Sequence, residues 1–523
     1  MSLDAFLHNL HFDIDKISPP DWEVDWEDAP LPYKLYLGLP VVPLSPEIPL
    51  TLEEQETPVK PQHRDIGHFL WYVYGLTEFS QSVLNTGPSK HAPGLMESYR
   101  RFVPSGGSLY PNELYVYLKV EDLPTGVYHF DAAHHRLVLL REGNFDSYIA
   151  RSVGNRCNVS ACFGTVFVST MFLKNFFKYN NFSYRLQGLD TGVLIGQLLE
   201  VAKRFGFKSD VYFQFLDRAA NHLLGLSEKE ESVYAVIPLS VEPITQFPNE
   251  EGISSIQLCR DLKRKEFNYY VRSQKEIEFP MLIKMNEASM IESTESIRKI
   301  QSKSKEVMND ESQMIPLPQG NRLSYDLVSV CRQRYSPDMD FVLGKVSQYQ
   351  LAALLREAKA SFLYQNDLDG TNQKHEARVS LYGCLHNVEG IPDGAYYYDG
   401  AAHALREIHP GDHRLRLQYG MSMDNVNLFQ VPLCLHVAGN KNHFKTILGY
   451  RGYRIQQMEA GMLVQRLLLA ASAIGFGGHP LLGFDAKLCD EIYKMDRQDM
   501  TSLIQVPIGP HHHRPWLRGS LYS

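Results

Sequence analysis

The sequence predicts an α+β fold built twice: two copies of one unit, each a mainly antiparallel sheet flanked by helices, closed on each other as a pseudo-dimer within one chain. Three observations carry this. The chain has 523 residues, too many for one ordinary core, and its 44% hydrophobic and 21% charged content is globular. Within each half, short β-patterned runs accompany a long helix with apolar residues at helical spacing. Above all, the chain repeats itself. Gly126-Val-Tyr-His-Phe-Asp131 returns as Gly394-Ala-Tyr-Tyr-Tyr-Asp399, an offset of 268, and Tyr184-Arg-Leu-Gln-Gly-Leu-Asp-Thr-Gly192 returns as Tyr453-Arg-Ile-Gln-Gln-Met-Glu-Ala-Gly461, an offset of 269. Gly206-Phe207 likewise returns as Gly475-Phe476. One residue of slippage over that span marks a tandem duplication.

In chain order, residues 1–60 are Pro-rich and acidic, with Trp22-Glu-Val-Asp-Trp26, and predict an extended arm that opens with a short helix. The first copy occupies 61–240. It holds a helix stopped by Gly75, a strand over 114–118, a hairpin over 126–131 and 136–140, a buried strand over 165–169, a helix over 191–205 and a closing strand over 232–238. Residues 241–320 are rich in Glu, Lys, Ser and Met with weak periodicity, and read as a charged linker with helical pieces. The second copy occupies 321–523 and includes an amphipathic helix over 346–358.

Composition also narrows the function. A net charge of −8, with no Lys/Arg-rich run, argues against a nucleic-acid binder. The most apolar stretch, 461–484, is broken by Gln465-Arg466 and by glycines, so no membrane span is expected. Residues 1–16 carry acids and no apolar run, unlike a secretory signal, and seven scattered cysteines fit reduced thiols in the cytoplasm. His511-His-His513 is too short a cluster to enclose an ion, and no metal site is expected.

The stretch Arg101 to Tyr115 holds the most informative loop. Pro104 fixes φ, and Ser105-Gly106-Gly107-Ser108 removes bulk while offering backbone N–H groups and two hydroxyls before a strand. Such a loop lets the backbone approach a flat or anionic ligand; otherwise it is an ordinary turn.

Together these motifs resemble the flavin-dependent nitroreductase superfamily, and within it the SagB/ThcOx-type azoline dehydrogenases, over roughly 60–240 and 320–515. The resemblance implies tandem nitroreductase-like domains, FMN as cofactor, and oxidation of thiazoline or oxazoline rings of a peptide or carrier-bound substrate to azoles. It also implies oxygen as electron acceptor and a cyclodehydratase as partner. By the same resemblance, Arg332, Arg334 and Ser336 match the phosphate-binding element, Arg334 pairing bidentately with phosphate. Gly477, Gly478, Pro480, Leu481, Leu482 and Gly483 match the segment whose backbone N–H groups face the flavin. Pro104, Ser105, Gly106, Gly107 and Ser108 match the partner subunit's loop, and Arg514 and Arg518 supply the last cations. Lys178 and Tyr179 match a catalytic Lys-Tyr pair, in which the ammonium would lower the tyrosine's pKa and make it a base.

Comparison of the two copies divides these parts. Pro104 to Gly107 falls on Asn372 to His375, Lys178-Tyr179 on Ile447-Leu448, and Arg334 near Pro49 to Thr51, where no arginine stands. Gly477-Gly478 falls on Lys208-Ser209. One composite flavin site per chain is therefore expected, its mirror image having decayed. Tyr184-Arg185 and Tyr453-Arg454 recur in both copies and read as structural, and Asp190 and Glu459 read as helix-start carboxylates. Two other functions stay open: an NAD(P)H-dependent nitro or quinone reductase, and a flavin-free scaffold that binds peptide.

Overall fold

The computed structural model describes residues 1–20, 22–53, 58–83, 95–300, 314–320, 322–369, 377–513 and 518–520. Two large sheets dominate. The first runs in the order Val41–Pro43, Arg136–Glu142, Gly126–Asp131, Asn112–Leu118, Gly164–Met171, Glu231–Ser240, Lys208–Val211, Gln365–Asn366. The second repeats the first seven places strand for strand: Met314–Pro316, Ala404–Pro410, Gly394–Asp399, Val379–Leu385, Leu433–Asn440, Met500–Gly509, Gly477–Gly478. Even the irregularities are duplicated. A bulge between Val127 and Tyr128 recurs between Ala395 and Tyr396, and one between Val168 and Ser169 recurs between Val437 and Ala438. Bulges re-aim a strand at a fixed place, and these recur in the two sheets at the offsets of 268 and 269 seen in the sequence.

The inner strands are buried on both faces, which is why their sequences read as continuous apolar and aromatic runs. Between the sheets lie two long helices, Ser183–Arg204 and Arg451–Ala473, and along their contact several positions meet their counterparts at the offset of 269. The Tyr184 and Tyr453 rings stack at 5.9 Å and 11°. A Cβ added to Gly188 would come 2.7 Å from the Cβ of Gln457, and one added to Gly196 would come 3.2 Å from that of Gln465. At Gly192 an added Cβ would lie 1.9 Å from the Met458 carbonyl oxygen, and at Gly461 2.2 Å from that of Leu189. Rungs at 184, 188, 192 and 196 mean that the two helices run side by side in the same sense. Their backbones touch where only glycine fits.

The helices also reach across. Arg454 pairs with Asp217 at 3.1 Å and lies over the Tyr234 ring, both in the first half. Arg185 donates to the Leu503 carbonyl in the second. These recurring arginines thus tie each central helix to the opposite copy.

Several features were not legible in the sequence. The first copy carries an inserted hairpin, Leu76–Val83 with Leu95–Arg101, and Arg518–Ser520 joins it as a third strand. Gln365–Asn366, from the second copy, adds to the first sheet in parallel, opposite Asp210 and Val211. The arm is more than an overlay: Phe6, Leu7 and Leu10 of its helix are buried, and Val41–Pro43 joins the first sheet. In the stretch read as a linker, Leu258, Leu282 and Met285 are fully buried and Met314–Pro316 pairs with the second sheet. These apolar residues are too few for a periodic signal but enough to dock short helices. No helix among the described residues is long and apolar enough to cross a membrane.

Candidate functional site

The Ser105 loop is held by one buried carboxylate. Ser105 Oγ donates to Asp190 Oδ2 at 2.6 Å, and the Gly106 N–H donates to Asp190 Oδ1 at 3.2 Å. The same Ser105 Oγ accepts from the Tyr110 N–H at 2.9 Å. The hydroxyl expected to meet a ligand is therefore spent on shaping the loop. Asp190 sits two turns inside the first central helix, not at its start, and Glu459, at the equivalent depth, pairs with Arg378. Burial pushes the Asp190 carboxyl up to about 6, against the pull of Ser105 and the Gly106 amide. Gly107 stands at φ +64°, the left-handed region that glycine enters freely.

Lys178 and Tyr179 close over this glycine. A Cβ built on Gly107 would lie 2.6 Å from Tyr179 Oη and 2.8 Å from Lys178 Nζ. Both polar tips therefore converge on the loop's bare backbone. Their helix, Leu173–Tyr179, is fixed by Lys174, whose Nζ ion-pairs with Glu113 and donates to the Tyr110 carbonyl at 3.3 Å. Glu113 in turn lies 2.8 Å from His129 Nε2. The Trp26 ring, from the arm, lies 5.3 Å from Lys178 Nζ and meets Phe177 edge-on at 5.5 Å. The protonation expected of the pair is corrected here. Burial, then the Asp190 charge, push the Tyr179 hydroxyl up to about 12, and burial pushes the Lys178 ammonium down. Desolvation thus favours the neutral form of both groups and opposes the lowering expected for the tyrosine.

Arg334 approaches the same loop from the second copy. It ends the helix Leu327–Gln333 and is buried, with Nε lacking any hydrogen-bond partner. Its carbonyl accepts from Arg100, which also donates to the Cys331 carbonyl at 3.2 Å. Burial, then the neighbouring Arg100 guanidinium, push Arg334 down to about 10, and its charge acts on Tyr110 of the loop. Two guanidiniums here face one nearby carboxylate, Glu78, 3.7 Å from Arg100. Arg332 is exposed and Ser336 half-buried.

Tyr335 carries the contact onward. Its carbonyl accepts from the Gly478 N–H at 3.1 Å, and Pro337 lies against Gly477, where an added Cβ would come 2.3 Å from Pro337 Cγ. The expectation that this segment presents a row of free amides is corrected. The Gly478 amide goes to Tyr335, that of His479 to Pro507, and that of Leu481 to Gln505 at 2.7 Å. Pro480 has no N–H. The amides of Leu482 and Gly483 have no protein acceptor among the described residues. Arg514 lies outside the described residues, as does 372–375, the counterpart of the loop. Arg518 lies in the strand paired with Leu76–Val83, opposite Ser80.

The structure thus brings Pro104 to Ser108, Lys178, Tyr179 and Arg334 to one side of the central helices. It adds Asp190, Lys174, Arg100 and Trp26, which the sequence did not single out. Only Asp190 left a trace, as a carboxylate at a central-helix position that Glu459 occupies in the other copy. A buried guanidinium beside a half-buried one, its Nε without a partner among the described residues, and a bare glycine backbone fit an anionic, flat cofactor such as FMN. Among the described residues, no group of His, Cys, Asp or Glu side chains is placed to hold a metal ion.

The Nitroreductase family model matches residues 384–509. A Methanocaldococcus jannaschii protein named as a nitroreductase is 26% identical over 133 residues, 25% of this chain and 64% of that protein. The trifolitoxin-processing protein TfxB of Rhizobium leguminosarum bv. trifolii is 31% identical over 143 residues, 26% of this chain and 38% of that protein. The chain therefore spans less than two thirds of the length of either relative. A crystal structure from Anabaena variabilis, described as that of a nitroreductase, superposes with a TM-score of 0.74 at 20% identity, covering 98% of this chain and 99% of that one. The chain has the nitroreductase fold along its length, and its residues 384–509 match the Nitroreductase family model.

Proposed function

We propose that the chain is an FMN-dependent dehydrogenase of the SagB/ThcOx type, which oxidises thiazoline or oxazoline rings of a peptide or carrier-bound substrate to azoles, with oxygen as electron acceptor. The observation that carries this reading is the convergence of Lys178 Nζ and Tyr179 Oη on Gly107. A simple reductase needs no half-buried amine and phenol at that place; removal of a ring C–H proton does. The trifolitoxin-processing relative supports a peptide as substrate. Seven free cysteines support a cytoplasmic setting.

Arg334, with Arg100 beside it, would hold the phosphate. The loop 104–108 and the amides of Leu482 and Gly483 would face the ring. Bound flavin would supply the two-electron acceptor. Lys178 takes the ring proton at Nζ, a role that its burial favours by destabilising the ammonium. Tyr179 stays protonated at neutral pH and orients the reacting group through its hydroxyl. Trp26 and the loop flank Lys178 and partly shield it. The azoline must be formed first, so a cyclodehydratase is the enzyme class that supplies the substrate.

The test is flavin released and counted per chain, followed by turnover of an azoline peptide under oxygen. One FMN per chain, lost in Arg334→Ala, and azole formation lost in Lys178→Met are expected. Rapid NADPH-dependent nitrofurazone reduction without azole formation would favour a general reductase. Failure to take up FMN even on reconstitution would favour the scaffold.

A further inference from the structure

The helix Leu327–Gln333 fills one groove between the two central helices. Cys331 Sγ lies 3.5 Å from Gln197 Nε2, and the Val330 carbonyl accepts from Ser472 Oγ at 2.9 Å. At the offset of 269, the duplicates of Gln197 and Ser472 are Arg466 and Lys203. Those two residues touch no such helix. They line a cavity of about 720 Å³, within the range of sites that enclose a small organic molecule. The seat filled on one side of the pseudo-axis is open on the other.

Its chemistry is specific. Arg466 is neutralised by Glu200 and Glu357. Arg322, also on the wall, shares Glu357, and the Asp210 carboxylate accepts from Gln246. Lys203 and Lys208 are exposed on the cavity wall and pair with no carboxylate among the described residues, so the four cations outnumber Glu200, Glu357 and Asp210 by one. Leu199, Met462 and Leu469 supply apolar wall. Deeper in, Gln465 Oε1 is buried and accepts no hydrogen bond, although Gln465 Nε2 donates to Gln197 at 2.8 Å. Ser361 Oγ, also on the wall, is buried without a partner. Unpaired buried acceptors are costly, and a ligand donor is one way to satisfy them.

We propose that this cavity is a second ligand site, distinct from the loop at Ser105, for an aromatic organic anion that bears an N–H donor. The carboxylate or equivalent anion meets Lys203 and Lys208, the ring lies against Leu199, Met462 and Leu469, and the N–H donates to Gln465 Oε1. The site does not depend on the redox reading, because none of its residues belongs to the Ser105 loop, the Lys-Tyr pair or the Arg334 cluster.

Indole-3-propionate is the probe, titrated into the full-length chain by calorimetry and by ligand-observed NMR. Saturable binding is expected, weakened at least tenfold for the uncharged amide and for the N1-methyl derivative. Lys203→Glu/Lys208→Glu should weaken it at least tenfold, whereas Lys229→Glu, an exposed control elsewhere, should not. Leu199→Trp, which narrows the cavity where the ring would lie, should weaken binding at least tenfold; if that variant fails to fold, the double lysine variant still decides. Absence of saturable binding, or binding indifferent to the lysine substitutions and to the loss of charge or N–H, would overturn the assignment.

Discussion

Asp190→Asn is the most informative single substitution, because it separates the charge of the loop's anchor from its shape. Burial raises this carboxyl from the ordinary 3.8 to about 6. A shift of about two units corresponds to about 3 kcal/mol. The sign follows from linkage. The folded chain holds its proton more tightly than the unfolded chain, so the contribution to stability is fully present below pH 3.8 and is lost as pH rises through 6. At pH 8 the ionised Asp190 costs the folded state the whole of that sum; at pH 5 it costs roughly half. Asparagine keeps an acceptor for the Gly106 N–H but sets its own NH2 against Ser105 Oγ, a penalty of about 1–2 kcal/mol that does not change with pH. Urea unfolding followed by tryptophan fluorescence, wild type against variant at pH 5, 6, 7 and 8, isolates the titrating part. Wild type should lose between about 1 and 2 kcal/mol relative to Asp190→Asn from pH 5 to 8, most of it before pH 6.5. A constant difference, or wild type gaining with pH, would show that Asp190 is comfortably ionised, and the account of the loop's anchor would be wrong.

Further outcomes follow from the same geometry. Gly107→Ala strains a left-handed backbone by about 1 kcal/mol and drives a methyl into Lys178 and Tyr179; turnover should fall at least tenfold while flavin content holds. Gly461→Ala puts a Cβ into the Leu189 carbonyl, so the melting temperature should drop well below that of Gly320→Ala, where an added Cβ meets no atom within 4 Å. If Lys178 is the proton acceptor, the rate of azole formation should rise with pH to a midpoint below the ordinary lysine value of 10.5, and Tyr179→Phe should leave that midpoint in place while lowering the rate. A midpoint that disappears in Tyr179→Phe would return the base to the tyrosine.

The fold was legible because its signals occur twice along the chain. A six-residue strand such as 126–131 is weak on its own, but its return at 394–399 is not. What the sequence withheld depends on contacts across long separations. Asp190 and Ser105 are 85 positions apart, and nothing local distinguishes a loop anchor from a solvated helix carboxylate. The protonation of Lys178 and Tyr179 was hidden for a related reason. Sequence shows the two charges side by side, but only burial decides that desolvation wins. Short additions such as Gln365–Asn366 on the first sheet carry too few residues for a periodic pattern. At residues 477–483 the glycines were visible, but the carbonyls that take the amides of Gly478, His479 and Leu481 come from 335, 507 and 505.

The rungs between the central helices have a consequence of their own. In a dimer of identical subunits each rung is a residue against itself, and any substitution arrives on both sides at once. Here Gly188 faces Gln457 and Gly196 faces Gln465, a small residue against a large one at duplicated positions. Two glutamines could not share either rung at that spacing, and two glycines would leave it hollow. Joining the copies in one chain lets the seam become a knob and a hole, so that the left and right halves are no longer interchangeable. A chain with handed halves has a fixed front and back, and each face is free to acquire its own chemistry.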